Sequence, residues 1–598
     1  MKKYPSARVL AGVATVAAMS LGPVMVGGTV AGAARAPHAS TTIKMALNQT
    51  LAGWNVYTSN DNQFVLSEIL NLVWPGPYIT TNKLALVQNT DLVSKVVDKV
   101  AGGVQTVTYT INPKAEWSDG TAITADDFIY MFQAQCGGAS ADPYCSNSWK
   151  DTDGQPYDDA GTSGYNQIQS VVGSKPATGN SCGGSSANRT AGLCPNGLTV
   201  TVTFEKNKPY SDWQGLFALL PAQVARKYGW NTIGANGTTI QGFSANPVAR
   251  VLSAEQYKLK SYDSTGNNVV LVKNPDYKGT DPGHADSIVF VNESNDDNGV
   301  SDMSNGSFQV WEPNSTSLAY VQTAKAAGLH VSVVPGLQFE HFDFNQLNPY
   351  LAKVQVRQAI AYATNRQAII NAVDQAAPGT KVLDNRMLMN NQAGYVANGK
   401  AYDTVNLKKA ASLLTAAGFK KVGGYWQPTW GPQKGKDITF QDYSTTASLR
   451  GQVMQLWQNQ LKSFGIKIDI NQISAGKLFG DVGPNGKFDI IEFAWVGGVF
   501  VSGNQGIYCT YSLAACGSNW DHYSNKSVDN LLFAGPQSGS FKTEVSDYNK
   551  ADALLWADMA TLPIYQKPVM VAYSNVNNVI NNPSSAGVTW NAQKWTTS

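Results

Sequence analysis

The sequence predicts an α/β protein built from more than one domain. Three observations lead there. Short segments with strict alternation of apolar and polar residues recur through the first half. A helix–glycine–strand succession fills much of the second half. The chain of 598 residues is also too long for a single hydrophobic core.

The alternating segments come first. A strand is expected from Thr41, with Ile43 and Met45 on one face. Residues 104–112 alternate in the same way and are rich in β-branched residues. Leu198, Val200, Val202 and Phe204 share one face of a strand over 198–205, with threonines opposite. Between these, residues 137–196 are crowded with Gly, Ser, Asn and Asp and read as a long surface insertion. Further on, residues 354–373 place Val356, Ile360, Ala363 and Ile370 at helical spacing. A second helix, 407–417, stops at Gly418, where a left-handed residue can close it and Phe419 supplies the apolar contact. A third, 448–464, stops at Gly465 and is followed directly by strand 466–470. No short fixed-period repeat is present.

Composition narrows the class. Charged residues make up only 14% and the formal net charge is +2, which gives no global field for nucleic acid or an anionic membrane. Lys2, Lys3 and Arg8 precede an apolar stretch from Val9 to about Val30, and Ala31-Gly32-Ala33 offers a cleavage pattern, so residues 1–33 read as a secretory signal peptide. Its removal would leave a net charge of −1. Export fits the six cysteines, Cys136, Cys145, Cys182, Cys194, Cys509 and Cys516. Fifteen pairings are open to six cysteines, and closeness in sequence favours 136–145, 182–194 and 509–516. A metal site is not expected, because neither the cysteines nor His38, His284, His330, His341 and His522 have ligand spacing. No His-Glu-x-x-His motif occurs, and the Gly179-Asn180-Ser181-Cys182-Gly183 run lies inside the Gly- and Ser-rich 137–196 segment without the strand-to-helix pattern of a nucleophile elbow, so no enzyme is expected. No phosphate-binding Gly-x4-Gly-Lys-Ser/Thr loop occurs either, and no cofactor is expected.

One segment is more specific. Glu116-Trp117-Ser118-Asp119-Gly120-Thr121-Ala122-Ile123-Thr124-Ala125-Asp126-Asp127-Phe128 reads as a tight turn feeding a helix. Thr124 is its cap, and two acids lie near the helix's positive end. Its role by this reading is structural. The segment also resembles the signature of extracellular solute-binding family 5, the dipeptide, oligopeptide and nickel binders of ABC importers. Four later segments agree in order: Leu271–Tyr277 with its Asn274-Pro275, Phe344-Asn345 with Val356–Ile360 and Asn365-Arg366, Ala410–Phe419 with Gly424–Trp426, and Leu562–Gln566.

The resemblance implies a two-lobed periplasmic-binding-protein-like fold of the cluster C type, with an extra domain and discontinuous lobes. The expected division is 34–83, 236–335 and 561–598 for lobe I, 84–235 for the extra domain II, and 336–560 for lobe III. It implies a monomer that captures a peptide or other small solute and delivers it to ABC permease and ATPase subunits, with no nucleic acid involved. Relatives of this kind can hold a peptide's α-ammonium with an aspartate three residues after a tryptophan. Here the matching position after Trp495 is Gly498. An oligosaccharide is the alternative ligand, since the chain has 15 Trp and 26 Tyr for stacking. The expected ligand-binding residues are Trp54, Asn345, Trp495, Gly497, Gly498, Val499 and Tyr565. The competing reading of each is core or turn. Members of the family are often lipoproteins, but no cysteine precedes Cys136, so the chain is expected to be exported without an N-terminal lipid anchor.

Overall fold

A computed structural model describes residues 41–598 apart from 59–60, 137–162, 175–180, 184–196, 228–242, 244–245, 294, 315, 374–376, 447 and 514–515. The chain opens with β1 (Thr42–Leu47) and then builds a separate sheet from β2 (Val93–Ala101), β3 (Val104–Ile111), β4 (Ile168–Ser174) and β5 (Thr199–Phe204). It returns through β6 (Tyr257–Asp263), β7 (Asn268–Lys273), β8 (Ser287–Asn292) and β9 (Val310–Trp311). The long β10 (His330–Phe344) follows, then β11 (Thr439–Thr445), β12 (Lys467–Ile473), β13 (Ile490–Val496) and the long β14 (Thr561–Tyr573).

The main sheet is continuous across the molecule, in the order β12-β11-β13-β10-β14-β9-β1-β8-β7-β6. One lobe holds β11 to β13, the other β6 to β9 with β1, and β10 and β14 belong to both. The expected boundary at 560/561 falls at the outer end of β14, so the passage between lobes is made inside that strand. The expected strands at 41, 104–112 and 198–205 are all present. The second of these shows why alternation works: Val107, Tyr109 and Ile111 are buried while the residues between them are half exposed.

Two expectations change. The segment 137–196 is not wholly insertion, because β4 pairs with β5 and buries Ile168 and Val171. Its Gly- and Ser-rich flanks mask a strand with few apolar residues. Residues 354–373 form two helices, α2 (Val354–Ala363) and α3 (Arg366–Val373). Thr364 leaves helical geometry, and the Asn365 side chain accepts from the Ala368 amide to start α3. The other helices match their patterns: α4 (Leu407–Ala416) and α5 (Ser448–Phe464) are followed by Gly418 and Gly465 at φ of +88° and +107°. The last long helix is α6 (Phe541–Asp558).

Cys509 and Cys516 are joined, with a Cα–Cα distance of 5.6 Å. Cys136 is also in a disulfide. The expected 136–145 and 182–194 pairings fall on Cys145 and Cys194, which lie outside the described residues, and on Cys182, whose side chain does too.

The turn-and-helix segment at 116–128 folds as its sequence indicates. Thr124 caps the helix α1 (Ala125–Gln135), and Asp127 completes a capping box. Asp127 does more than cap. Its buried carboxylate accepts from the Thr124 amide at 2.9 Å, the Trp117 indole at 3.1 Å and the Ala222 amide at 3.1 Å. One side chain thus ties the turn, the helix and a distant loop together. Asp127→Ala would leave three buried donors without an acceptor. At about 1–3 kcal/mol for each such group, partly relieved by water, a loss of about 3–5 kcal/mol is expected in urea unfolding followed by fluorescence.

Candidate functional site

The two long strands make the centre of the site. β10 and β14 pair from one lobe to the other, and the register breaks between Pro335 and Gln338. Gly336 and Leu337 therefore stand outside the ladder. Their carbonyls are taken up elsewhere: Gln566 donates to Gly336 at 2.6 Å and the Gly497 amide donates to Leu337 at 2.6 Å. A Cβ on Gly336 would meet the Lys567 carbonyl and Val569 at 2.8 Å, so the strands approach this closely only with glycine here.

Strand direction places the cleft. β1, β8 and β9 are mutually parallel and run toward lobe III, while β11, β12 and β13 are parallel and run the opposite way. The carboxyl ends of both sets converge on the crossing, which is where ligands bind in open α/β sheets. From lobe III these ends are Thr445, Ile473 and Val496, with Val496 exposed.

One face of the crossing is aromatic. Trp495 pairs across from Phe339 and packs against His341, Phe493 and Trp520 at ring-centroid distances of 6.1, 4.9 and 5.8 Å. Its indole N–H has no hydrogen-bond partner among the described residues. The chain then leaves the sheet through Gly497, Gly498, Val499 and Phe500. Gly498 offers its carbonyl to Gln392 at 3.0 Å. Val499 packs with Leu84 on Leu337, Phe339 and Met389. Phe500 lies against Gly215 of the extra domain, where an added Cβ would come within 2.8 Å of its ring. Phe500 also closes a cavity of about 310 Å³ lined by Trp74, Tyr78, Gln214, Gln256 and Trp590.

The opposite face is charged. Glu340 takes Lys567 at 2.9 Å and Arg450 at 3.2 Å. Arg450 also donates to Thr445 at 3.0 Å, and its side chain keeps 14% of its surface exposed. Burial opposes ionisation of Glu340, but Arg450 and Lys567 outweigh it and bring its carboxyl down to about 2. Neighbouring Glu492 is pushed up to about 8, by burial first and by Glu340 next. The Ser444 hydroxyl bonds it at 2.6 Å, and Arg450 stands 4.0 Å away. Asp442 is raised by burial and by Glu492, and neither of its oxygens has a partner among the described residues. Glu340 thus meets both cations, while burial and the neighbouring carboxylates disfavour ionisation of Glu492 and Asp442.

The structure gathers four of the expected residues, Trp495, Gly497, Gly498 and Val499, on one strand end and loop. Tyr565 is close by but on the other face, since it pairs with Glu340 while Trp495 pairs with Phe339. Two expected residues lie elsewhere. Trp54 is buried in the lobe I core with its ring edge-on to Tyr262 at 5.3 Å. Asn345 follows the outer end of β10, roughly 30 Å from the crossing at about 3.3 Å per residue. Its amide is spent on the carbonyls of Gly486 and Phe488 at 2.9 and 2.7 Å. Sequence reasoning missed Glu340, Arg450, Glu492, Lys567 and Phe500. The signal available was a carboxylate inside each of two apolar strands, Phe339-Glu340-His341-Phe342 and Ile491-Glu492-Phe493. No cluster of three or more metal-binding side chains is found among the described residues.

Residues 91–514 match the model of the bacterial extracellular solute-binding proteins, family 5 Middle. The oligopeptide-binding protein OppA of Mycobacterium tuberculosis is 24% identical over 554 residues, covering 91% of this chain and 83% of that protein. The periplasmic murein peptide-binding protein MppA of Escherichia coli is 23% identical, covering 80% of each. Among solved structures, a periplasmic EDTA-binding protein, EppA, superposes with a TM-score of 0.78 at 22% identity over 94% of this chain and 97% of its own. The oligopeptide-binding protein AppA from Bacillus subtilis, in complex with a nonapeptide, superposes with a TM-score of 0.72 at 17% identity over 94% of this chain and 99% of its own.

The steric role of Gly336 is directly testable. Gly336→Ala forces a methyl group into the Lys567 carbonyl and Val569, and a loss of about 1–3 kcal/mol of stability is expected in urea unfolding. Gly498→Ala, whose added Cβ would have no atom closer than 3.8 Å, is the matched control with little change expected.

Proposed function

The chain belongs to the bacterial extracellular solute-binding proteins of family 5, and on that premise we propose that it captures peptides at the β10–β14 crossing and hands them to an ABC importer. The observation that carries the reading is the site's place in the sheet. The carboxyl ends of two opposed sets of parallel strands meet there, in a chain aligned over 91% of its length with an oligopeptide-binding protein. A peptide laid at the strand ends finds backbone groups at Gly497 and Gly498 and an aromatic wall at Trp495 on one side of the sheet, and the part-exposed Arg450 guanidinium on the other. The absence of an acid at Gly498 leaves backbone carbonyls to take up the peptide's amino end. The part-exposed Arg450 guanidinium suits its carboxylate.

The work of the protein is then binding and closure. Ligand that touches both lobes favours the closed arrangement, which docks on a membrane permease, and ATP is consumed by other subunits. Among the described residues no helix is long and apolar enough to cross a membrane. This accords with a protein exported from the cell and held near the permease by docking. No catalytic role is assigned to the site.

A second ligand class has one specific observation in its favour. A probable monoacyl phosphatidylinositol tetramannoside-binding protein, LpqW of Mycobacterium tuberculosis, is 25% identical over 396 residues, and rings such as Trp495 and Trp520 suit a sugar face. Gentle purification, unfolding and mass spectrometry of the released molecules separates the two. Peptide masses are expected; hexose-spaced masses would move the protein to the glycan class.

Arg450 gives the sharper prediction. A charged hydrogen bond to a carboxylate contributes about 1.5–3 kcal/mol, or roughly 10–150-fold in affinity. Arg450→Gln should weaken binding of a free-acid peptide by that factor in titration calorimetry, and Lys567 remains to hold Glu340. Amidating the peptide's carboxyl end should weaken binding to the wild type and leave the variant unchanged. Equal losses in both proteins would remove Arg450 from the site.

A further inference from the structure

The loop that leaves the aromatic face continues into a contact between lobe III and the extra domain. Tyr210 and Ser502 share a hydroxyl–hydroxyl hydrogen bond at 2.9 Å, and the Ser502 amide donates to Asp212 at 3.2 Å. The Ser211 amide donates to the Pro536 carbonyl at 2.9 Å, and the Ser211 hydroxyl donates to Glu544 on α6. Asp212, next in sequence to Ser211, and Glu544 are both buried at this contact. Each keeps one carboxyl oxygen, Asp212 Oδ1 and Glu544 Oε1, with no hydrogen-bond partner among the described residues.

Two ionised carboxylates cannot bond each other, since both only accept. One added proton turns the contact into an O–H donated by one carboxyl to the other. The groups around the pair offer no other neutralisation. From the 205–215 segment they are Tyr210 and Ser211, from α6 Tyr548, and from the turn Val501–Asn504 only Ser502. The charged residues nearest in sequence are engaged elsewhere or exposed: Lys208 pairs with Glu205, Asp547 with Lys550, and Lys542 is exposed. No lysine or arginine forms an ion pair with either carboxyl among the described residues.

We propose that Asp212 and Glu544 form a proton-operated latch, so that the extra domain closes onto lobe III with uptake of one proton and opens with its release. The inference rests on reading the chain as a binding protein whose lobes close on ligand. It adds a control to that site: acid favours capture, and rising pH favours release.

The sign follows from the environment of the pair. In the closed contact, burial first and Asp212 second push the Glu544 carboxyl up to about 9, and burial raises Asp212 as well. Once the contact opens, both regain ordinary carboxyl values near 4. The latch is therefore fully available below the open-state value and is lost as pH rises toward about 9. Across that window one proton is bound on closing, so the closed-to-open ratio falls by up to tenfold for each unit of pH.

The test is small-angle X-ray scattering of the ligand-free full chain between pH 5.5 and 8.5. The wild type should expand as pH rises. Glu544→Gln should stay compact throughout, because its amide donates to Asp212 without a titrating proton while its carbonyl still accepts from Ser211. Asp212→Asn, which donates from the other side, should do the same and guards against a folding defect in either variant. A wild-type radius of gyration that does not change with pH, or variants that follow the wild-type profile, would overturn the latch. Because no peptide is needed, a failure of peptide binding leaves this result standing and bears only on the ligand. Where a peptide binds, its Kd should rise with pH in the wild type and stay flat in both variants.

Discussion

Everything in this molecule hangs on the antiparallel pairing of β10 with β14. Each strand is hydrogen-bonded to the other on both sides of the crossing, so each lobe takes its central strands from the same two segments. The rest of the main sheet is added outward from this ladder in both directions. Without it there would be two unrelated sheets. With it, two cores face each other at a fixed edge, and the ends of six parallel strands are aimed at the same place.

The same constraint explains how chemistry is divided at the site. Because side chains alternate along β10, the crossing has an aromatic face carrying Trp495 and a charged face carrying Glu340. The charged face is expensive to bury, and it survives because Lys567 and Arg450 both reach Glu340 while Glu492 can be neutral. The aromatic face continues into a loop whose glycines expose backbone and whose Phe500 reaches the extra domain. Ligand contact and domain contact are therefore only a few residues apart in the chain.

Much of the fold could be read from the sequence because it is local. The capping box at Thr124 and Asp127, the alternation of Val107, Tyr109 and Ile111, and the helix stops at Gly418 and Gly465 all depend on near neighbours. The site was less legible for the opposite reason. The break at Gly336 is set by pairing with β14, more than 200 residues later. Glu340 acquires its role only from Lys567 and Arg450, which the tertiary fold places beside it. Trp54 and Asn345 have the right residue types for a cleft, but a tryptophan is satisfied equally by a core and an asparagine by a turn. Asp212 and Glu544 carry no local signal at all, being brought together only by the tertiary fold.

The two shared strands also limit how the lobes can travel. Strands bonded to each other on both sides of a crossing cannot slide past one another, which concentrates any bending between the lobes at the break around Gly336. Bending at one break brings the same two surfaces together along the same path, whatever lies between them. In the importer role proposed above, the outer surface shown to a permease would then report that the cleft is full, and the identity of the cargo would stay hidden. A single permease could accept many different peptides on the strength of that one signal.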